Sequence, residues 1–236
     1  MKLLLVGGPP STGKTTVIQR IIEKRQDKYK IAYLKMDVVA AHEEELIREK
    51  YHIDAKTVYA GDLCPDHAEV MILTDALKWA EQMGAELLII ESAGLCLRCS
   101  PYLNQGVGVV VLSMLAGLHS VDKMKQLITF ADVAVLTMND LVCQAEREVY
   151  IKKLRTSFDK LKVIETNALQ GIAIEYLCNL IDHSEEIHVE NLELKGNPPL
   201  GTCTICIGSK KIGWQNHYGV VRQIDSNAAD YMYRGD

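Results

Sequence analysis

The stretch Lys2-Leu3-Leu4-Leu5-Val6-Gly7-Gly8-Pro9-Pro10-Ser11-Thr12-Gly13-Lys14-Thr15-Thr16 decides the fold. An apolar run with the length of a buried strand leads into Gly8-x-x-x-x-Gly13-Lys14-Thr15, the spacing of a phosphate-binding loop. Gly8 and Gly13 let the backbone fold round a phosphate with its N–H groups pointing inward, and Pro9, Pro10, Ser11 and Thr12 form the wall between them. Lys14 is placed to reach the β- and γ-phosphates, and the Thr15 hydroxyl is suited to Mg2+. Thr16 continues into a helix predicted over Thr15–Lys24, whose positive end meets the same phosphates. A strand before the motif and a helix after it argue against a mere Gly/Pro turn. The sequence predicts a nucleoside triphosphate site.

Working outward, 236 residues with 48% hydrophobic content can bury a full core. One α/β domain over residues 1–184 is expected, followed by a smaller cysteine-containing extension over 185–236. A net charge of −5 and the lack of a Lys/Arg-rich block point away from nucleic acid and from anionic membranes. The apolar run at Leu3 is too short for a signal segment, and no stretch approaches about 18 apolar residues, so a cytoplasmic protein is expected. Seven cysteines in such a chain argue for thiol chemistry or metal over a disulfide scaffold.

Strand-like runs alternate with amphipathic helical ones, the pattern of a mostly parallel sheet with helices on both faces. Strands are predicted at Lys30–Met36, Lys56–Ala60, Leu87–Ile90, Val107–Leu112, Val133–Leu136 and Leu161–Ile164. Helices are predicted at Glu43–Lys50, Ala68–Met83, Val121–Phe130, Ala145–Phe158 and Ile172–Ile181. Cys178 falls on the apolar face of the last helix and reads as core. Glu185–Lys195 alternates in places like an edge strand.

Ligands in open α/β sheets bind at the carboxyl ends of strands. Those ends carry the phosphate loop, Asp37, Cys64–His67, Glu91–Cys99 and Thr137–Asp140. Asp37 and Glu91 are hard oxygen donors beside Thr15, suited to holding Mg2+ and positioning a water. Glu91-Ser92-Ala93-Gly94 has the form acid-x-x-Gly, which offers the Gly94 N–H to a γ-phosphate. Two Cys-x-x-Cys pairs, Cys96/Cys99 and Cys203/Cys206, have the spacing of zinc, nickel or iron–sulfur ligands, with a redox pair as the other chemistry open to them. His217 reads first as a structural histidine.

Over Met1–Ile181, in unbroken order, the chain resembles the CobW/HypB/UreG family, the GTPases that insert nickel during hydrogenase and urease maturation together with the CobW-type metallochaperones. The phosphate loop Gly8–Thr16, the Met36-Asp37 step, the Cys64-Pro65-Asp66-His67 loop, Glu91-Ser92-Ala93-Gly94 and Thr166-Asn167-Ala168 with Gly171 carry the likeness. The resemblance implies a P-loop GTPase with Mg2+, a homodimer, and nickel or zinc held by cysteine and histidine, with Cys64 and His67 in the matching metal loop. It implies a client metalloenzyme or its maturation complex as partner, and base contacts from Thr137, Asn139, Asp140, Asn167 and Ala168. The chain departs from the family twice. Thr137 and Met138 stand where the family's guanine reader has Asn-Lys, so ATP competes with GTP as the expected nucleotide. One residue, Asp66, is inserted into the Cys-Pro-His step. Two further functions fit the same residues: an ATP-dependent iron–sulfur protein that reduces or assembles a client cofactor, and a non-catalytic metal sensor or store.

Overall fold

The computed structural model describes residues 1–38, 43–94, 99–197, 208–222, 224 and 231–233. Cys96, Cys203 and Cys206, three of the expected metal ligands, lie outside the described residues.

Seven strands form one parallel sheet: β1 (Lys2–Gly7), β2 (Ile31–Asp37), β3 (Asp54–Tyr59), β4 (Leu87–Glu91), β5 (Val107–Ser113), β6 (Val133–Thr137) and β7 (Lys162–Glu165). Their order across the sheet is β3-β2-β4-β1-β5-β6-β7. Parallel strands need crossover helices and are buried on both faces, which is why β1 and β4 are apolar without alternation. Leu3 and Leu5 of β1 enter one core, and Leu4 and Val6 the other.

Helices α1 (Lys14–Arg25), α2 (Glu43–Tyr51) and α7 (Ile174–Asp182) cover the face of Leu4 and Val6. Helices α3 (Pro65–Gln82), α4 (His119–Lys123), α5 (Lys125–Phe130) and α6 (Gln144–Ser157) cover the other. Most boundaries differ from the sequence expectation by a residue or two, and two of the differences have a clear local cause. The α3 helix starts at Pro65, not Ala68, because proline fits the first helical turn, where an N–H has no partner to lose. The helix expected over Val121–Phe130 is two pieces broken at Met124, whose φ of −99° and ψ of 15° interrupt the turn.

The far end of α1 is clamped to α7. Arg25 reaches Glu175 (2.5 Å) and Asp182 (3.1 Å), and Lys28 reaches Asp182 (2.9 Å). Cys178 sits in the same packing, fully buried, with burial pushing its thiol up to about 11.

Beyond α7 the extension runs back over the α3 face. Glu185–Lys195 forms a short 3-10 turn at Val189–Asn191 and single bridges, Leu103 with Leu194 and Glu193 with Lys211, instead of an edge strand. Ile187, Leu192, Leu194 and Val221 are buried in the α3-side core. Strands β8 (Val220–Arg222) and β9 (Tyr231–Tyr233) pair antiparallel. No described helix is long and apolar enough to cross a membrane.

Candidate nucleotide and metal site

The phosphate loop is shaped by close approaches that only glycine permits. A Cβ on Gly8, at φ +143°, would lie 2.3 Å from the Val111 carbonyl oxygen. Gly13, at φ +86°, caps α1 and accepts the Val17 N–H at 3.0 Å. Gly94 is tighter still: its Cβ would stand 1.7 Å from the Gly8 carbonyl oxygen. The loop after β4 therefore rests backbone-to-backbone on the phosphate loop, which suits a segment that senses the γ-phosphate. The Lys14 ammonium donates to the carbonyls of Gly8 (2.8 Å) and Pro9 (3.0 Å). Burial pulls its pKa down and Lys35 adds to that, while Glu91, Asp37 and Glu43 oppose.

A cleft of about 430 Å³ opens here, lined by Pro10, Ser11, Gly13–Thr16, Lys35, Asp37, Glu43, Glu91, Ser92 and Ala93. The expected oxygen donors converge on it. Thr15 donates its hydroxyl to Glu91 Oε1 at 2.8 Å, and Tyr33 donates to Glu91 Oε2 at 2.7 Å. Sheet register explains the match: Glu91 pairs with Val6 of β1 on one side and Lys35 of β2 on the other. Tyr33, two residues before Lys35, points to the same face. The Lys35 ammonium lies 2.7 Å from Glu43, 3.7 Å from Asp37 and 3.9 Å from Glu91. Tyr33, Lys35 and Glu43 are site residues that the sequence reading missed. Burial first, and Glu91 second, hold the Tyr33 phenol well above its usual pKa, so it stays a donor.

The residues expected to meet the base are arranged differently. Thr137 is buried, and its hydroxyl donates to the Thr12 carbonyl (2.7 Å), with the Leu112 carbonyl 3.3 Å away, so it braces the phosphate loop from behind. Met138 holds a left-handed φ of 56°, and its sulfur meets the Ser113 hydroxyl at 3.1 Å. Asn139 and Asp140 follow on a short 3-10 turn, with Asp140 exposed. In the loop after β7, Asn167 accepts the Gln170 N–H at 3.1 Å, and the Ala168 carbonyl is held by Arg20 at 3.0 Å.

The predicted soft-metal residues start α3. Cys64 is the N-cap of that helix, and Asp66 and His67 are in its first turn, both buried. The inserted Asp66 turns inward and accepts from Ser92, two residues before Gly94, at 3.5 Å. Next to it, Glu69 is 1% exposed and neither carboxyl oxygen has a partner at hydrogen-bonding distance. Burial, helped by Asp66, pushes its carboxyl up to about 8 against the weak pull of nearby Ser92. Cys99 is half-buried. Among the described residues, no three His, Cys, Asp or Glu side chains form a preformed cage for an ion.

Residues 2–165 match the model of the CobW/HypB/UreG nucleotide-binding domain. The chain belongs to the CobW/HypB/UreG family. An uncharacterized protein of Methanocaldococcus jannaschii is 33% identical over 227 residues, 95% of this chain and 97% of the relative. A probable hydrogenase maturation factor HypB of the same organism is 30% identical over 136 residues, 57% of this chain and 60% of the relative. Among solved structures, the hydrogenase maturation factor HypB from Archaeoglobus fulgidus superimposes with a TM-score of 0.64 at 26% identity, covering 77% of this chain and 89% of that one. HypB from Helicobacter pylori, solved in complex with nickel, has a TM-score of 0.63 at 17% identity, covering 80% of this chain and 91% of that one. The fold and the nucleotide-binding domain are those of the CobW/HypB/UreG proteins.

Proposed function

We propose that this family member is a nucleotide-hydrolysing switch, acting on GTP, that loads a transition metal into a client metalloenzyme. One contact carries the reading: Ser92, on the strand-end loop that rests on the phosphate loop, touches Asp66 in the helix turn that carries Cys64 and His67. A loop that responds to the γ-phosphate and a helix start that presents soft ligands thus share a boundary.

Hydrolysis is in-line attack of water on the γ-phosphorus, breaking its bond to the β–γ bridging oxygen and releasing phosphate. Lys14 leaves its two loop carbonyls to meet the transferring charge, and the Gly94 N–H is the backbone donor assigned to the same group. Thr15, Asp37 and Glu91 fit Mg2+, because a hydroxyl and two carboxylates border one cleft. Bound there, Mg2+ would offset charge on the β- and γ-phosphates. Tyr33 and Lys35 hold Glu91 in orientation. Asp140 is the acceptor for the guanine N1–H and amino group, with the Met138 thioether beside the base. The HypB of Helicobacter pylori crystallised with nickel, which makes Ni2+ and Zn2+ the cargo to try first. A homodimer is part of this proposal, since two copies can fill a cysteine site that one leaves open.

The test measures Ni2+ and Zn2+ affinity with GDP and with a non-hydrolysable GTP analogue. A nucleotide-dependent difference of about fivefold or more is expected. Equal affinity in the two states sinks the gating, and phosphate release that persists in Lys14→Ala removes the assigned hydrolytic site.

A further inference from the structure

Arg20 stands in the middle of α1, the helix that begins at the phosphate loop. Its Nε donates to the Ala168 carbonyl at 3.0 Å, and its Nη2 donates to the Leu169 carbonyl. One planar fork thus grips two successive carbonyls of the loop after β7, a geometry that lysine does not reproduce. The loop closes its own turn, with the Ile172 N–H on the Asn167 carbonyl at 3.1 Å and the Gly171 N–H on the Ala168 carbonyl at 3.3 Å. Those bonds shape the turn, and the Arg20 fork ties it to α1. The Leu169 side chain, 75% exposed, adds little packing to that attachment.

The fork is itself held. Arg20 Nη1 donates to Glu23 Oε2 at 2.7 Å, and Glu23 Oε1 accepts from Lys50 at 3.0 Å and from the Tyr51 hydroxyl at 2.8 Å. Against the pull of burial, the hydrogen bonds from Arg20, Lys50 and Tyr51 hold the Glu23 carboxyl down to about 2. Glu23 is therefore charged at neutral pH and keeps the guanidinium in one orientation. Guanine and adenine differ by an oxygen acceptor against an amino donor at one ring position. Telling them apart requires polar groups held at fixed places.

We propose that Arg20 is a positioning residue for nucleotide selection: through the Ala168 and Leu169 carbonyls it fixes the loop that meets the base, and so favours guanine over adenine. This rests on the GTP reading above and deepens it, because base selection then depends on a side chain of the helix that starts at the phosphates.

The test measures dissociation constants for GDP and ADP by calorimetry, on the full chain and on Arg20→Ala. The unsubstituted chain should prefer GDP, and Arg20→Ala should lose about tenfold of that preference, the size of one charge-assisted hydrogen bond. Arg20→Lys keeps the charge without the fork and should lose part of it. An arginine that only stabilised the fold would weaken both nucleotides alike. An unchanged ratio in Arg20→Ala therefore overturns the proposal and leaves the GTP reading standing. An unsubstituted chain that binds both nucleotides equally, prefers ADP or binds neither overturns the two together. If Arg20→Ala does not fold, the ratio in Arg20→Lys decides.

Discussion

The two halves of the nucleotide site are built on opposite principles. On the phosphate side, charged groups are buried and tied together: Thr15 and Tyr33 both hold Glu91, and Lys35 sits among three carboxylates. On the side proposed for the base, Asn139 and the exposed Asp140 sit on a short turn that follows the left-handed Met138. Phosphate chemistry needs fixed donors and acceptors in a dry site, whereas a base reader can finish its contacts when the base arrives. Substitutions on the first side should damage fold and turnover together, and those on the second should change selectivity alone.

Gly94→Ala tests this most severely. Its Cβ would collide with the Gly8 carbonyl oxygen, and its φ of +68° disfavours any side chain. Turnover should fall by about 10³-fold or more, a transition-state loss of about 4 kcal/mol, read by phosphate release. Near-normal turnover would mean that the two loops separate freely.

Glu69 sharpens the same side through pH. Its folded carboxyl is pushed up to about 8 from an ordinary 4.5, chiefly by burial. Between those values the folded chain holds a proton that the unfolded chain has lost, so stability falls as pH rises. The slope is at most about 1.4 kcal/mol per pH unit, measured by urea midpoints from pH 5 to 8. Glu69→Gln should flatten it, and an equally steep slope in that variant would place the titration elsewhere.

Tyr33→Phe removes one of the two donors to Glu91. A buried hydrogen bond to a charged group is worth about 1.5–3 kcal/mol, so the denaturant midpoint should drop accordingly. No change there would show that Glu91 is held by Thr15 and Lys35 without Tyr33.

Asp140→Ala should leave stability within about 0.5 kcal/mol, because the side chain is exposed. It should cut the preference for GTP over ATP by about tenfold to a hundredfold, the loss of one charged acceptor. A large loss of stability would erase the contrast between the two halves.

The sequence carried the phosphate half well because its chemistry fixes residue spacing. Glycines are needed where backbones touch, and a lysine and a threonine must stand at set offsets. Asp37 and Glu91 were visible as acids ending apolar runs. Tyr33 and Lys35 were not, since in Lys30–Met36 they read as ordinary strand residues; only the pairing of β2 with β4 brings them to Glu91. Thr137 was expected at the base, but its hydroxyl is engaged with the phosphate-loop backbone. The start of α3 had a visible marker in Pro65. The meeting of Arg20 with the Ala168 carbonyl had none, because they are 148 positions apart and only tertiary packing joins them.

The clamp between α1 and α7 has a mechanical consequence. Helix α1 begins at the phosphates, and its far end is fixed by Arg25 and Lys28 to the acids of α7. When a triphosphate pulls on the loop, α1 cannot slide lengthwise without breaking that set of ion pairs. The phosphate loop therefore opens a helix that is braced from behind, by ion pairs at the end far from the nucleotide.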